Sequence, residues 1–548
     1  MERRIGRKLL GSAGAVALAV TVVACSTDPT AADVREPAKV AGEQQRLSTE
    51  KGRPLTITPS QLLAATGGLT PVAFEQPANG QISYQSDGSI VYTPNEGFTG
   101  TDELTVTTTD AVQVFSVPSP PMAVVGGVPV QSSGAGSAIA AVPGSPNQIY
   151  GLTDRGPNVD GRIDNEKVLP VTDYSPQIIK YTLADGVATE ERAIVLKDPD
   201  GHPLNGLVAA VGDTGGETMV DIHGNPMPNS DRGLDSEGLV ALDDGTFWVA
   251  DEYGPFVIHF DANGTELERL SPYDGSLPGE LAMRDPNRGM EGLTITPDGS
   301  TLVGVMQSAL ATPGIDGRPR EVPLTRIVTV DLDTRESRMY LLPLADPQDS
   351  KVLVSEITAL SDTEFLIDER DTALAPDGNK KIYVADISGA TDVGPNSTVP
   401  GARYDAAAGG LLIDGTPIEA YVGVSTDAQA VAKLDAAGIQ VAAKTLKLDL
   451  GELLTELNPD GKFFGHDKVE GVVTPDGGQT LIISNDSDYG LVGIDNDTPP
   501  FALTPKTLAN GAQDAGAFLV VDTTKLPPTT RTATLSVHVG EPGAEPNG

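Results

Sequence analysis

The sequence predicts an all-β protein: a β-propeller of five or six blades preceded by a small β-sandwich. Three observations carry this. Hairpin units recur with a shared opening, in which Glu237-Gly238, Glu291-Gly292, Glu356 and Glu470-Gly471 each start an apolar strand that turns and comes back to a polar end. The 548 residues hold 61 Gly and 43 Pro with only 4% aromatics, a composition of many turns and short strands. Further strand pairs, such as "FVIHFDANGTELERL" and "TRIVTVDLDTRESRMYLLPL", follow several of the hairpins. A repeated pattern of about four strands with variable insertions is the mark of a propeller.

Taken in order, the chain opens with a targeting segment. Arg3, Arg4, Arg7 and Lys8 precede an apolar run from Leu9 to Ala24, too short for a membrane span. The end of that run, Val22-Val23-Ala24-Cys25, resembles the lipobox of bacterial lipoproteins. The resemblance implies cleavage after residue 24, lipidation of Cys25 and an extracytoplasmic protein held to the membrane through that lipid alone. Cys25 is the single cysteine, so no disulfide within the chain is available. Residues 25–51 are polar without apolar periodicity and read as a flexible tether.

Residues 52–117 form the next unit. Alternating strands are broken at Asp87-Gly88 and Asn95-Glu96-Gly97. The stretch "IVYTPNEGFTGTDELTVTTTD" resembles the Ig-like or cadherin-like repeats of bacterial surface proteins, which implies a spacer rather than chemistry. "PSPPM" at 118–122 is a stiff linker, and residues 123–540 are assigned to the propeller. Five hairpins are countable. The first, "GSAIAAVPGSPNQIYGLTDRGPN", lacks the Glu, and a sixth would come from 196–232, 401–450 or the two chain ends meeting. Within 401–450, "STDAQAVAKLDAAGIQVAAK" has the spacing of a helix.

The hairpins explain an otherwise odd charge pattern. In an antiparallel pair the residue entering the first strand lies beside the one leaving the second. Reflection through each turn sets Glu237 against Asp251, Glu291 against Gln307, Glu356 against Asp368 and Glu470 against Asn485. Inner hairpins of a propeller place all these ends on one face. Asp154, Glu237, Asp251, Glu252, Glu291, Glu356, Asp368, Glu369 and Glu470 are therefore expected at one mouth, with Asp486 and Asp488 close by. So many carboxylates cannot all stay ionised together. Either some hold their protons or cations sit among them. Calcium suits an all-oxygen donor set. The five histidines, at 202, 223, 259, 466 and 538, show no zinc spacing. Arg155, Arg288, Arg370 and Lys468 enter the same mouth, where they pair with the acids or seat a phosphate group.

At these residues the chain resembles the phytase-like family, designated esterase-like activity of phytase. The likeness rests on "GLTDRGPN", "DSEGLVALDDGTFWVADEYGP", "NRGMEGLTITPDGSTLVGVMQSAL" and "KVEGVVTPDGGQTLIISNDSDYG". It implies a propeller whose acids act on phosphoesters, with Asp154, Arg155, Glu237, Asp251, Glu252, Glu291, Glu356 and Glu470 at the matching positions. Gln307 departs from the family pattern, since Gln supplies no charge or base. The expected function is a calcium-dependent phosphoric ester hydrolase acting on a phosphorylated small molecule. Asp154, Glu237, Asp251, Glu291, Glu356 and Asp368 would be metal ligands. Glu252 or Glu470 would be the base, and Arg155, Arg370 and Lys468 would steady the phosphate. The alternative is a non-catalytic, calcium-stabilised propeller that binds a ligand or partner at the cell surface. A net charge of −39 argues against nucleic acid and anionic lipid surfaces. A serine esterase is disfavoured, because no Gly-x-Ser-x-Gly occurs.

Overall fold

The computed structural model describes residues 47–211, 216–345 and 347–542. The signal segment, most of the tether and Cys25 lie outside the described residues. The protein is all-β, and its main body divides into five antiparallel four-stranded units, of which the first and the fifth join edge to edge in one eight-stranded sheet through the parallel pair Val187–Ser116. The first comprises Ala138–Val142, Ser145–Leu152, Gln177–Ala184 and Val187–Val195. The second runs Ser236–Ala241, Phe247–Asp251, Val257–Phe260 and Glu266–Leu270. The third runs Met290–Ile295, Thr301–Met306, Leu324–Asp331 and Ser337–Pro343. The fourth runs Leu353–Ala359, Glu364–Arg370, Lys380–Asp386 and Ala443–Asp449. The fifth takes Val469–Val473, Thr480–Asn485 and Ala517–Asp522, then Val112–Ser116 from far upstream.

The first strand of each unit packs against the first strand of the next, and the fifth packs back on the first, so the five strands form a closed cycle. Local chemistry explains the hairpins. In the second unit Gly245 takes φ +85° at the turn, a conformation that favours Gly, and Asp244 Oδ1 accepts the Thr246 N–H at 2.9 Å. The strands then bury both faces. Val249, Ala250, Ile258 and Phe260 are fully enclosed, as are Val303, Val305 and Ile327 in the third unit.

The two ends of the chain cross the limits expected from sequence. Val112–Ser116, placed in the sandwich, is the outer strand of the fifth unit, paired antiparallel with Ala517–Asp522. Thr530–Gly540, placed in the propeller, lies in the sandwich between Gly100–Thr109 and Leu47–Glu50. Its Leu535, Val537 and Val539 share a core with Ile57, Ile90, Tyr92, Leu104 and Val106. No local pattern announces such an exchange, because it depends on strands more than 400 residues apart. The helix expected in 401–450 is present as Asp427–Ala436, capped by Thr426, whose side chain accepts the Gln429 N–H.

Candidate functional site

Three of the four later hairpins do not pair as simple reflection requires, and the reason is a β-bulge at each opening; in the remaining one Glu356 faces Asp368 as expected. Ser236 faces Asp251 and Gly238 faces Ala250, leaving Glu237 as the extra residue. Glu291 is likewise extra between the pairs Met290–Met306 and Gly292–Val305, and Glu470 between Val469–Asn485 and Gly471–Ser484. The pairings of Glu237 with Asp251, Glu291 with Gln307 and Glu470 with Asn485 are thus corrected by one residue. A bulge re-aims the side chain it carries. Here it turns three Glu side chains into one cleft.

The fourth hairpin differs. Its extra residue is Ser355, between Val354–Glu369 and Glu356–Asp368. Glu356 therefore occupies the position that Gly238, Gly292 and Gly471 hold elsewhere. That position touches the neighbouring strand: a Cβ on Gly292 would lie 2.6 Å from the Ile357 nitrogen. Glu356 accepts the Ile357 N–H at 3.0 Å. Burial pushes its carboxyl well above the usual range, against the pull of the N–H groups of Ile357, Leu293 and Ile139.

The cleft has a volume of about 360 Å³. Its walls include Asp154, Arg155, Asp235, Glu237, Glu252, Arg288, Glu291, Gln307, Arg370, Lys468, Glu470 and Asp488. Glu356, Asp251, Asp368 and Glu369 are not among its lining residues. Asp251 instead caps its own loop, accepting the N–H groups of Asp235 at 2.8 Å and Gly254 at 2.5 Å, and burial raises it to about 6. Asp368 is enclosed with neither oxygen bonded, and burial raises it well above the usual carboxylate range against the pull of Arg370 and Lys380. Glu369 is held by Lys444.

Within the cleft lining the carboxylates of Asp235, Glu237 and Glu252 each bring an oxygen within 4.8 Å of the others. Asp235 was not singled out from the sequence. The available signal was the spacing Asp235-Ser236-Glu237, since residues two apart at a strand start share a face. Burial raises all three pKa values. Asp235 and Glu291 add repulsion on Glu237, and Glu291 and Asp235 add it on Glu252. Glu252 Oε1 and Glu291 Oε2 are enclosed and have no hydrogen-bond partner. Glu291 Oε1 accepts from Gln307 Nε2 at 2.6 Å, and burial followed by Glu470 lifts Glu291 to about 8. Buried oxygens without partners beside converging carboxylates fit a hard cation bound through oxygen.

The positive groups are largely committed. Arg155 Nη1 donates to Glu217 Oε2 at 2.7 Å, to Asn287 Oδ1 at 3.1 Å and to the Tyr253 hydroxyl. Arg370 reaches Glu470 and, at 2.9 Å, Ser355 Oγ. Lys468 Nζ lies 2.9 Å from Asp486 and 2.6 Å from Asp488. Arg288 bonds the neutral Gln307 carbonyl and sits 3.9 Å from Asp285, which makes it the least neutralised cation of the cleft. Opposite, Asp154 Oδ1 accepts from the Tyr489 hydroxyl at 2.9 Å and from the Gly156 N–H at 2.9 Å. Burial, with Asp486 and Asp235 nearby, raises Asp154 well above the usual range. Asp488 and Tyr489 both adopt positive φ, +47° and +55°, a strained pair of non-Gly residues at the wall.

Residues 131–489 match the phytase-like family, described as esterase-like activity of phytase. The chain belongs to this family. Residues 35–116 match a bacterial Ig domain. An uncharacterized secreted protein of Arthroderma benhamiae is 28% identical over 333 residues, covering 48% of this phytase-like chain and 64% of the relative. The chain thus spans less than two thirds of that relative. The crystal structure of a nidogen/laminin complex aligns with TM-score 0.21 and 12% identity, covering 56% of this chain and 82% of the other; so low a score has no bearing on the fold.

Proposed function

We propose that this phytase-like protein is a calcium-dependent phosphoric ester hydrolase. The observation that carries the reading is the convergence of Asp235, Glu237 and Glu252 in the lining of a cleft that also presents Arg288 and Arg155. We read the closed cycle of five four-stranded units as a five-bladed propeller, with the cleft at one end of its axis. The family match supports a hydrolase, the secreted relative and the bacterial Ig domain support an extracytoplasmic location, and the lipobox-like end of the N-terminal segment is our ground for a lipid tether at Cys25.

Asp235, Glu237 and Glu252 would hold calcium. When bound, calcium supplies a positive centre that polarises phosphoryl oxygens and lowers the pKa of an attached water. Arg288 donates to a phosphate oxygen, and Arg155 is locked by Glu217 and Tyr253 so that its fork stays oriented. Glu291 lines the cleft with one oxygen held by Gln307 and the other free of any hydrogen-bond partner, which leaves that oxygen to accept a proton. It therefore replaces Glu470, whose carboxylate is engaged by Arg370, as the better general base. Phosphate release from a panel of mono- and diesters, with and without chelator, tests the reading. Calcium-dependent turnover is expected. Calcium binding with no turnover on any ester would leave the non-catalytic binding propeller in its place.

A further inference from the structure

The cleft is not uniformly polar. One wall is made by Val159, Leu491 and Val492, with Leu353 lining the cleft as well. Leu491 and Val159 are buried at 1% and 4% and belong to one apolar cluster with Val130, Tyr489, Phe501 and Leu503. Val492 is not covered by that cluster. It is 59% exposed while lining the cleft. Ile163, 66% exposed, lies in the loop that follows the short strand Val159–Asp160, itself packed against Leu491–Ile494. The cleft thus carries one exposed valine beside its charged lining, on a strand anchored by Leu491 in the apolar cluster.

The charges limit the other part of the ligand. Eight carboxylates line the cleft (Asp154, Asp160, Asp235, Glu237, Glu252, Glu291, Glu470 and Asp488) against five cations, Arg155, Lys167, Arg288, Arg370 and Lys468. Four of those five cations already hold a carboxylate within 3 Å. A divalent cation held by Asp235, Glu237 and Glu252 is already offset by them, so Arg288 is the one cationic side chain of the lining left to meet a phosphate group. Each additional phosphate would enter a cleft lined by eight acidic side chains with no further uncommitted cation to meet it.

Resting on the hydrolase reading above, we propose that the cleft takes esters with a single phosphate group and an apolar arm that lies on Val492, rather than polyols bearing several phosphates. The discrimination comes from burial of the arm against Val492 on one side and repulsion of extra phosphates on the other. An apolar contact of this kind is worth about tenfold or more in affinity.

Non-hydrolysable probes separate this from the question of turnover. Calorimetry on the calcium-loaded chain would compare octylphosphonate, methylphosphonate and inositol hexakisphosphate, for wild type, Val492→Asn and Val492→Ala. Octylphosphonate is expected to bind about tenfold or more tighter than methylphosphonate. That ratio should fall towards one in Val492→Asn and fall partway in Val492→Ala. Equal affinities for the two phosphonates, an unchanged ratio in Val492→Asn, or tightest binding of the hexakisphosphate would overturn the proposal. Binding with the expected ratio but no ester turnover would sink the hydrolase reading and leave this one standing. No phosphonate binding at all would remove both.

Discussion

The hairpins of the second and fourth units begin alike and end with their acids in different places. In Ser236–Asp251 the bulged residue is Glu237, whose carboxylate joins the cleft triad. In Leu353–Arg370 the bulged residue is Ser355, and Glu356, one position later, is buried outside the cleft lining. The two sequences, Ser-Glu-Gly and Ser-Glu-Ile, differ by one side chain after the Glu. Where Gly follows, its strand can approach the next unit's backbone. Where Glu356 stands, its own side chain fills that region and Ser355 takes the bulge. The bulge, rather than the presence of an acid, decides which carboxylates meet.

The comparison can be broken most directly by neutralising each acid in turn. Glu237→Gln should lower calcium-dependent turnover by about 100-fold or more and abolish the rise in melting temperature on adding calcium, while Glu356→Gln keeps both close to wild type. Equal losses in the two variants would place Glu356 in the site after all. Next in size is a pair of Gly substitutions. Gly292→Ala puts a Cβ 2.6 Å from the Ile357 nitrogen and should cost about 3 kcal/mol or more in urea unfolding. Gly493→Ala meets nothing within 4 Å and should stay within about 0.5 kcal/mol. A mild Gly292→Ala would show that the inter-unit contact is slack.

The smallest expected effect is one of pH. Glu291, raised to about 8, and Asp486, raised to about 7, bind protons more tightly folded than unfolded. Between the unfolded carboxyl values and those raised ones the folded state holds more protons, so stability falls as pH rises. Without calcium the melting temperature should therefore be higher at pH 5.5 than at pH 8.5. Saturating calcium should flatten or reverse that slope, because the cation replaces the protons. A slope that is the same with and without calcium would separate the raised carboxyls from the cation site.

The all-β class, the five hairpins and the crowding of Glu237, Glu252, Glu291, Glu470, Arg155 and Lys468 towards one end were legible in the residues, because alternation and turn chemistry are local. Asp235 was partly legible through its spacing from Glu237. The separation of Asp251, Glu356 and Asp368 from the cleft was not. It depends on which residue of each opening is left unpaired and on the backbone N–H groups that claim the Asp251 and Glu356 carboxylates. The commitment of Arg155 to Glu217 was equally invisible, because those residues lie 62 positions apart in a loop without pattern.

By itself, then, the sequence determined the hairpins, their turns and the acids at their openings, since each follows from contacts among residues near in the chain. Only the tertiary structure decided three further matters: which acids converge, which cation is left for a ligand, and how the ends interlock through Val112–Ser116 and Thr530–Gly540. Those depend on strands meeting across hundreds of residues, where the close approach of one backbone to another selects the register and the bulge.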